Sequence, residues 1–139
     1  MGCDIHLHVE IKVKGKWLHY NHPYVGRWYA LFGEMAGVRD TEQGPIASPR
    51  GIPRNASEVT KLDYKQWGVD AHSASWLDSE EIAQLEEWCK KYDLVTTRHD
   101  MFGSFFGSTF DWFARHPEDR ANAYPPGLQD VRFVFWFDN

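Results

Sequence analysis

Asp4, His6, His8 and Glu10 stand at every second position near the start of the chain, separated by Ile5, Leu7 and Val9 and flanked by Cys3 and Ile11. A β-strand sends successive side chains to opposite faces. This spacing therefore predicts a strand with one apolar face and one face of two carboxylates and two imidazoles. Such groups ligate Zn²⁺, Mn²⁺ or Fe²⁺, and they also transfer protons. Asp4, His6 and His8 are candidate metal ligands, and Asp4 and His6 are candidate catalytic groups as well. Alternate side chains on a strand lie about 7 Å apart, so only two neighbours can share one ion and loops must supply the rest. The competing explanation is an ordinary solvated sheet face, which is polar by default.

The natural further donors lie in Asp70-Ala71-His72-Ser73-Ala74-Ser75-Trp76. Asp70 and His72 repeat the alternate spacing and complete the candidate metal set, with His72 also a candidate catalytic residue. Ser73, Ser75 and Trp76 are candidate ligand-binding residues, on a stretch expected to link two helices, where binding groups are commonly placed. Its structural alternative is a helix start capped by Ser75 with Trp76 as a hydrophobic staple. Arg39, Arg50 and Arg54 lie in the Pro/Gly-rich segment Val38–Arg54. Arg50, between Pro49 and Gly51, is the candidate anchor for a phosphate or carboxylate, because guanidinium offers a bidentate fork. The alternative is a set of solvated surface arginines.

These residues need elements to position them. The first strand is expected over Cys3–Val13, turning at Lys14-Gly15 into Lys16–Tyr20. With a two-residue loop, Val13 faces Lys16, Ile11 pairs with Leu18, Val9 with Tyr20, and Glu10 stands opposite His19. A one-residue change in the loop would undo that pairing. Asn21-His22-Pro23 breaks the pattern, and His22 and His116, each before a Pro, read as turn residues. Arg27–Ala36 reads as a helix stopped by Gly37. Asn55-Ala56-Ser57-Glu58 is a capping box for a helix to about Trp67. A second box, Asp78-Ser79-Glu80-Glu81, opens a helix with Ile82, Leu85, Trp88, Cys89 and Tyr92 on its core face. Met101–His116 carries phenylalanines at helical spacings, interrupted by Gly103 and Gly107. Val131–Phe137 closes the chain as a strand with Val131, Phe133, Phe135 and Phe137 on one face. The order predicts an α+β domain over residues 1–139. Its small antiparallel sheet, an N-terminal hairpin plus the C-terminal strand, is covered by helices on one face.

The chain's 139 residues suit one domain with a real core. Aromatic residues make up 16% of it, seven of them Trp, which implies a core of large rings or stacking surfaces for planar ligands. A net charge of −5 argues against a general duplex nucleic acid binder. The two cysteines, Cys3 and Cys89, fall on inward faces, so neither a disulfide framework nor a cysteine nucleophile is expected. No secretory signal or membrane-spanning run is evident, which points to the cytoplasm. The opening Met-Gly-Cys invites acylation, but His6 stands where that motif wants Ser or Thr. Phosphate-binding glycine loops, dinucleotide fingerprints and zinc-ribbon cysteine pairs are missing from the sequence.

Three stretches carry a resemblance: Gly2-Cys3-Asp4-Ile5-His6, Asp70 to Leu77, and Arg132-Phe133-Val134-Phe135-Trp136-Phe137-Asp138-Asn139. They resemble those of a family of small phage, prophage and bacterial proteins, and the similarity runs along the whole chain. The resemblance implies a phage or mobile-element origin, with the host cytoplasm as location and countering of host defence as a general role. It lends no catalytic residue. The expectation is a small protein that binds a phosphorylated, nucleotide-like small molecule and, with a divalent metal such as Zn²⁺ or Mn²⁺, hydrolyses it. The alternative is a non-enzymatic phage accessory protein, a host-defence inhibitor that sequesters a nucleotide signal or blocks a host protein.

Overall fold

The computed structural model describes residues 2–42, 44–96 and 127–138. The helix expected at Met101–His116 lies outside the described residues. Strand β1 (Asp4–Val13) and strand β2 (Lys16–Asn21) form the expected hairpin. Lys14 and Gly15 both have positive φ, 51° and 74°, as a two-residue hairpin turn of matching twist demands. Val13 faces Lys16, Ile11 faces Leu18 and Glu10 faces His19. Beyond that the register shifts, so that Val9 faces Asn21 and not Tyr20. The extra residue is a bulge, which bends the end of β2.

The last strand of the sheet, β4 (Leu128–Asp138), pairs with β1 from Asp4 opposite Asp138 to Val13 opposite Leu128. Its other edge takes β3 (Ala71–Leu77), giving a four-stranded antiparallel sheet in the order β2-β1-β4-β3. The segment expected as a linker between helices is therefore an edge strand. Its small residues show no alternation, and it gains strand structure by hydrogen bonding to β4. A bulge between His72 and Ser75, with Ser73 at φ 54°, interrupts that pairing.

Helices α1 (Tyr29–Ala36) and α3 (Ser79–Thr96) cover the apolar face, as expected. There Leu7, Val9, Phe133, Phe135 and Phe137 meet Leu31, Phe32, Met35, Ile82, Leu85 and Cys89. Each such fully buried side chain contributes about 1.5–3 kcal/mol. Gly37 ends α1 in the left-handed conformation, at φ 71°. Asp78 and Glu81 cap α3 reciprocally, each carboxylate accepting from the other's backbone N–H at 2.9 and 3.0 Å.

Helix α2 (Glu58–Trp67) lies on the opposite, polar face. Ser57 caps it, accepting from the Thr60 N–H at 3.3 Å, while Asn55 is engaged by Arg132. Positions 60, 63, 64 and 67 share one side of a helix. Thr60 reaches Glu10, Asp63 reaches His8, Tyr64 packs on Trp136 and Trp67 packs on His6. Among the described residues, no helix is long and apolar enough to cross a membrane.

Candidate metal centre and adjoining groove

Glu10, fully buried, fixes where α2 sits. One of its oxygens accepts from the Ser57 N–H and the Thr60 hydroxyl, both at 2.8 Å. The other takes the Arg132 guanidinium at 2.7–2.9 Å. Arg132 also donates to Asn55 and lies 3.9 Å over the Trp17 ring. Burial alone would raise the Glu10 pKa, but the bonds from Ser57, Thr60 and Arg132 hold it below the usual value. A buried ion pair is costly unless its remaining atoms are bonded, and here several neighbours share that task. One helical turn beyond Thr60, Asp63 is thereby delivered to His8.

His8 is only 2% exposed, yet both of its ring nitrogens have partners. Nε2 donates to Asp63 at 2.7 Å, and Nδ1 accepts from His19 Nε2 at 2.9 Å. Burial, the largest influence, lowers the His8 pKa to about 4 despite the pull of Asp63, with His22 and His19 pushing the same way as burial. Burial also lowers the pKa of His19. His8 is thus a neutral imidazole at neutral pH, the form that can ligate a metal.

The His22 ring stacks on His8, centroids 4.1 Å apart and planes 9° from parallel. His22 Nδ1 donates to the Leu7 carbonyl at 2.7 Å, which leaves Nε2 as a lone pair. A backbone carbonyl that fixes the far nitrogen in this way is the usual support of a metal-ligating histidine. The ligand atoms of His8, His22 and Asp63 all lie within 4.8 Å of one another, and no other such trio of donors occurs among the described residues. Donors about 2 Å from a shared ion lie no more than about 4 Å apart, so binding would draw the three together slightly. With rings this parallel, one of them would have to turn for both nitrogens to point at a shared ion. For His8 to offer Nε2 as a ligand, that atom would have to lose its proton while His19 passes its Nε2 proton to His8 Nδ1 and takes one up at its own Nδ1, so that neither ring changes charge.

His22 also forms part of the wall of an open groove of about 750 Å³, lined by Asp4, His6, Pro23, Tyr24 and Arg27 among others. His6 is held there by Asp138 at 2.7 Å and by the Trp67 ring at 4.1 Å. Asp4 accepts a two-point contact from Arg27, at 2.7 and 3.2 Å, which lowers its pKa.

Of the five residues expected to ligate a metal, only His8 belongs to the trio. Alternate positions on one strand are too far apart, so Asp4 and His6 are drawn to Arg27 and Asp138 instead. Asp70 lies exposed in the turn Gly68–Asp70. His72 bonds to the Ser73 hydroxyl at 3.1 Å, its ring is 6.2 Å from Phe137, and its Nε2 has no partner among the described residues. Ser75 is buried without a hydroxyl partner among those residues. The expected phosphate anchor, Arg50, is otherwise engaged: it donates to the Trp76 carbonyl, pairs with Glu81 and lies over the Trp76 indole. It joins β3 to the cap of α3 and does not line the groove.

His22 and Asp63 escape a reading of the sequence. One sits in the irregular segment after β2 and the other on a helix that docks partly through polar side chains. The signal that existed was Asp63 three residues after Thr60 on a helix opened by Ser57. Comparison with known proteins gives no match to any family model, curated protein or solved structure, so function rests on this geometry alone.

Proposed function

We propose that the protein binds a divalent metal at His8, His22 and Asp63 and acts on a phosphorylated, nucleotide-like small molecule held in the adjoining groove. The observation that carries this reading is the double position of His22, in the trio of ligand atoms and in the groove wall. Two imidazoles and one carboxylate leave further coordination positions for water and substrate, as catalytic sites do. Zn²⁺ or Mn²⁺ there would activate a bound water and polarise a phosphoryl oxygen. Groove residues Arg27 and His6 would meet the anionic substrate, and the exposed Tyr24 ring offers a stacking surface for a base.

The test is titration of metal-free, untagged protein with Zn²⁺ and Mn²⁺, followed by phosphate release from a nucleotide panel. One ion per chain is expected, with affinity at least tenfold weaker in His22→Ala and Asp63→Asn. Phosphate release should depend on that ion. A wild-type protein that binds neither ion overturns the metal site. Metal-dependent capture of a nucleotide that is recovered intact would instead identify a sequestering protein.

A further inference from the structure

Arg27 uses only one edge of its guanidinium on Asp4: Nε donates to Oδ1 and Nη2 to Oδ2. Nη1 and the second N–H of Nη2 form another fork, with no hydrogen-bond partner among the described residues. The side chain is 55% exposed and lines the groove, where no lysine or second arginine stands beside it among the described residues. Asp4 holds it in one orientation, which removes part of the ordering cost of binding an anion.

Gly2 makes this possible. A Cβ at Gly2 would lie 2.0 Å from Nη1, 2.3 Å from Cζ and 2.6 Å from Nη2 of Arg27. Any side chain there would collide with the guanidinium and push it away. Glycine is used where a group must approach the backbone this closely. The Gly2–Asp4 stretch therefore shapes Arg27 from two sides, through a missing side chain and a carboxylate.

We infer that the open edge of Arg27, oriented by Asp4 and cleared by Gly2, is a binding subsite for the phosphate group of a phosphate ester. The geometry suits two phosphate oxygens accepting in parallel, a contact that a lysine ammonium cannot reproduce. His22 on the same groove wall would place the bound phosphate toward the metal trio. This inference rests on the proposed function for its location, but phosphate binding and metal binding can be measured separately.

The experiment is calorimetric titration of metal-free protein with inorganic phosphate and with adenosine 5′-monophosphate, alongside a Zn²⁺ titration. Wild-type protein should bind both phosphates. Arg27→Lys and Gly2→Ala should each weaken that binding tenfold or more, the second while keeping the arginine. Both variants should bind Zn²⁺ within twofold of wild type and keep its circular dichroism spectrum. No phosphate binding by wild type, or binding unchanged in Arg27→Lys, overturns the subsite. Should Gly2→Ala bind as wild type does, the clearing role of Gly2 is wrong. If phosphate binds as described while Zn²⁺ does not, the subsite stands and the metal reading falls.

Discussion

On the side of the sheet that meets α1 and α3, Phe133, Phe135, Phe137, Leu7 and Val9 pack against aliphatic and aromatic side chains. On the side that meets α2, the contacts are Glu10 with Arg132 and Thr60, His8 with Asp63, and His6 with Trp67. The first face is held by non-directional burial, so a substitution there loses area and leaves a cavity. The second is held by directed hydrogen bonds, so a substitution there strands a charge or releases a helix. Directed contacts fix side-chain geometry as well as stability, and the candidate metal trio lies on that second face.

The largest effects should come from one substitution on each face. Phe135→Ala should cost about 3–5 kcal/mol, by lost burial plus a cavity. Glu10→Ala should cost a similar amount, about 3–5 kcal/mol, because Arg132 is left buried without its partner. Urea midpoints measure both. The comparison breaks unless metal affinity falls in Glu10→Ala, where Asp63 is no longer held at His8, and survives in folded Phe135→Ala.

A smaller effect concerns acid. His8 takes up a proton near pH 6.5 when unfolded but only at about 4 when folded, so unfolding binds a proton between those values. Its stabilising contribution is complete above pH 6.5 and is lost as pH falls through that window, at about 1.4 kcal/mol per pH unit. The total is about 3 kcal/mol. Urea midpoints of chelator-treated protein from pH 7.5 to 4 should show this slope, and it should flatten in His8→Gln, with His19 supplying what remains. Among the described residues no histidine belongs to the phenylalanine-rich core, so Phe135→Ala should retain the wild-type slope.

The smallest is Ser57→Ala, which removes the N-cap of α2 and should cost about 1 kcal/mol. Its value is in sharpening the contrast. Loss of the cap should loosen Asp63 and weaken Zn²⁺ binding, while amide hydrogen exchange in α1 stays unchanged.

The two faces also differed in how far the sequence revealed them. Period-two alternation in β1 and β4 identified their apolar faces, and Lys14-Gly15 set the hairpin register as far as Glu10 opposite His19. Gly37 and the Asp78–Glu81 box marked helix ends because each has a local physical cause. The position of α2 was hidden, because its polarity is inverted: Val59 and Leu62 face solvent while Thr60 is fully buried. A helix whose docked side mixes Thr60 and Asp63 with Tyr64 and Trp67 carries no continuous apolar stripe to read. His22 was hidden for a related reason. Its place over His8 depends on the bulge at the end of β2 and on a carbonyl of β1, neither of which residue spacing encodes.

The Lys14-Gly15 turn bears on how the gene can change in length. Deleting or inserting one codon there would slide β2 by one position against β1. Trp17 would leave Arg132 and His19 would leave His8, and Leu18 would come round to the histidine side. Adding two codons would restore the original facing with a longer loop. Length variation at this turn should therefore be accepted in steps of two residues and rejected in steps of one, even though the turn itself is exposed.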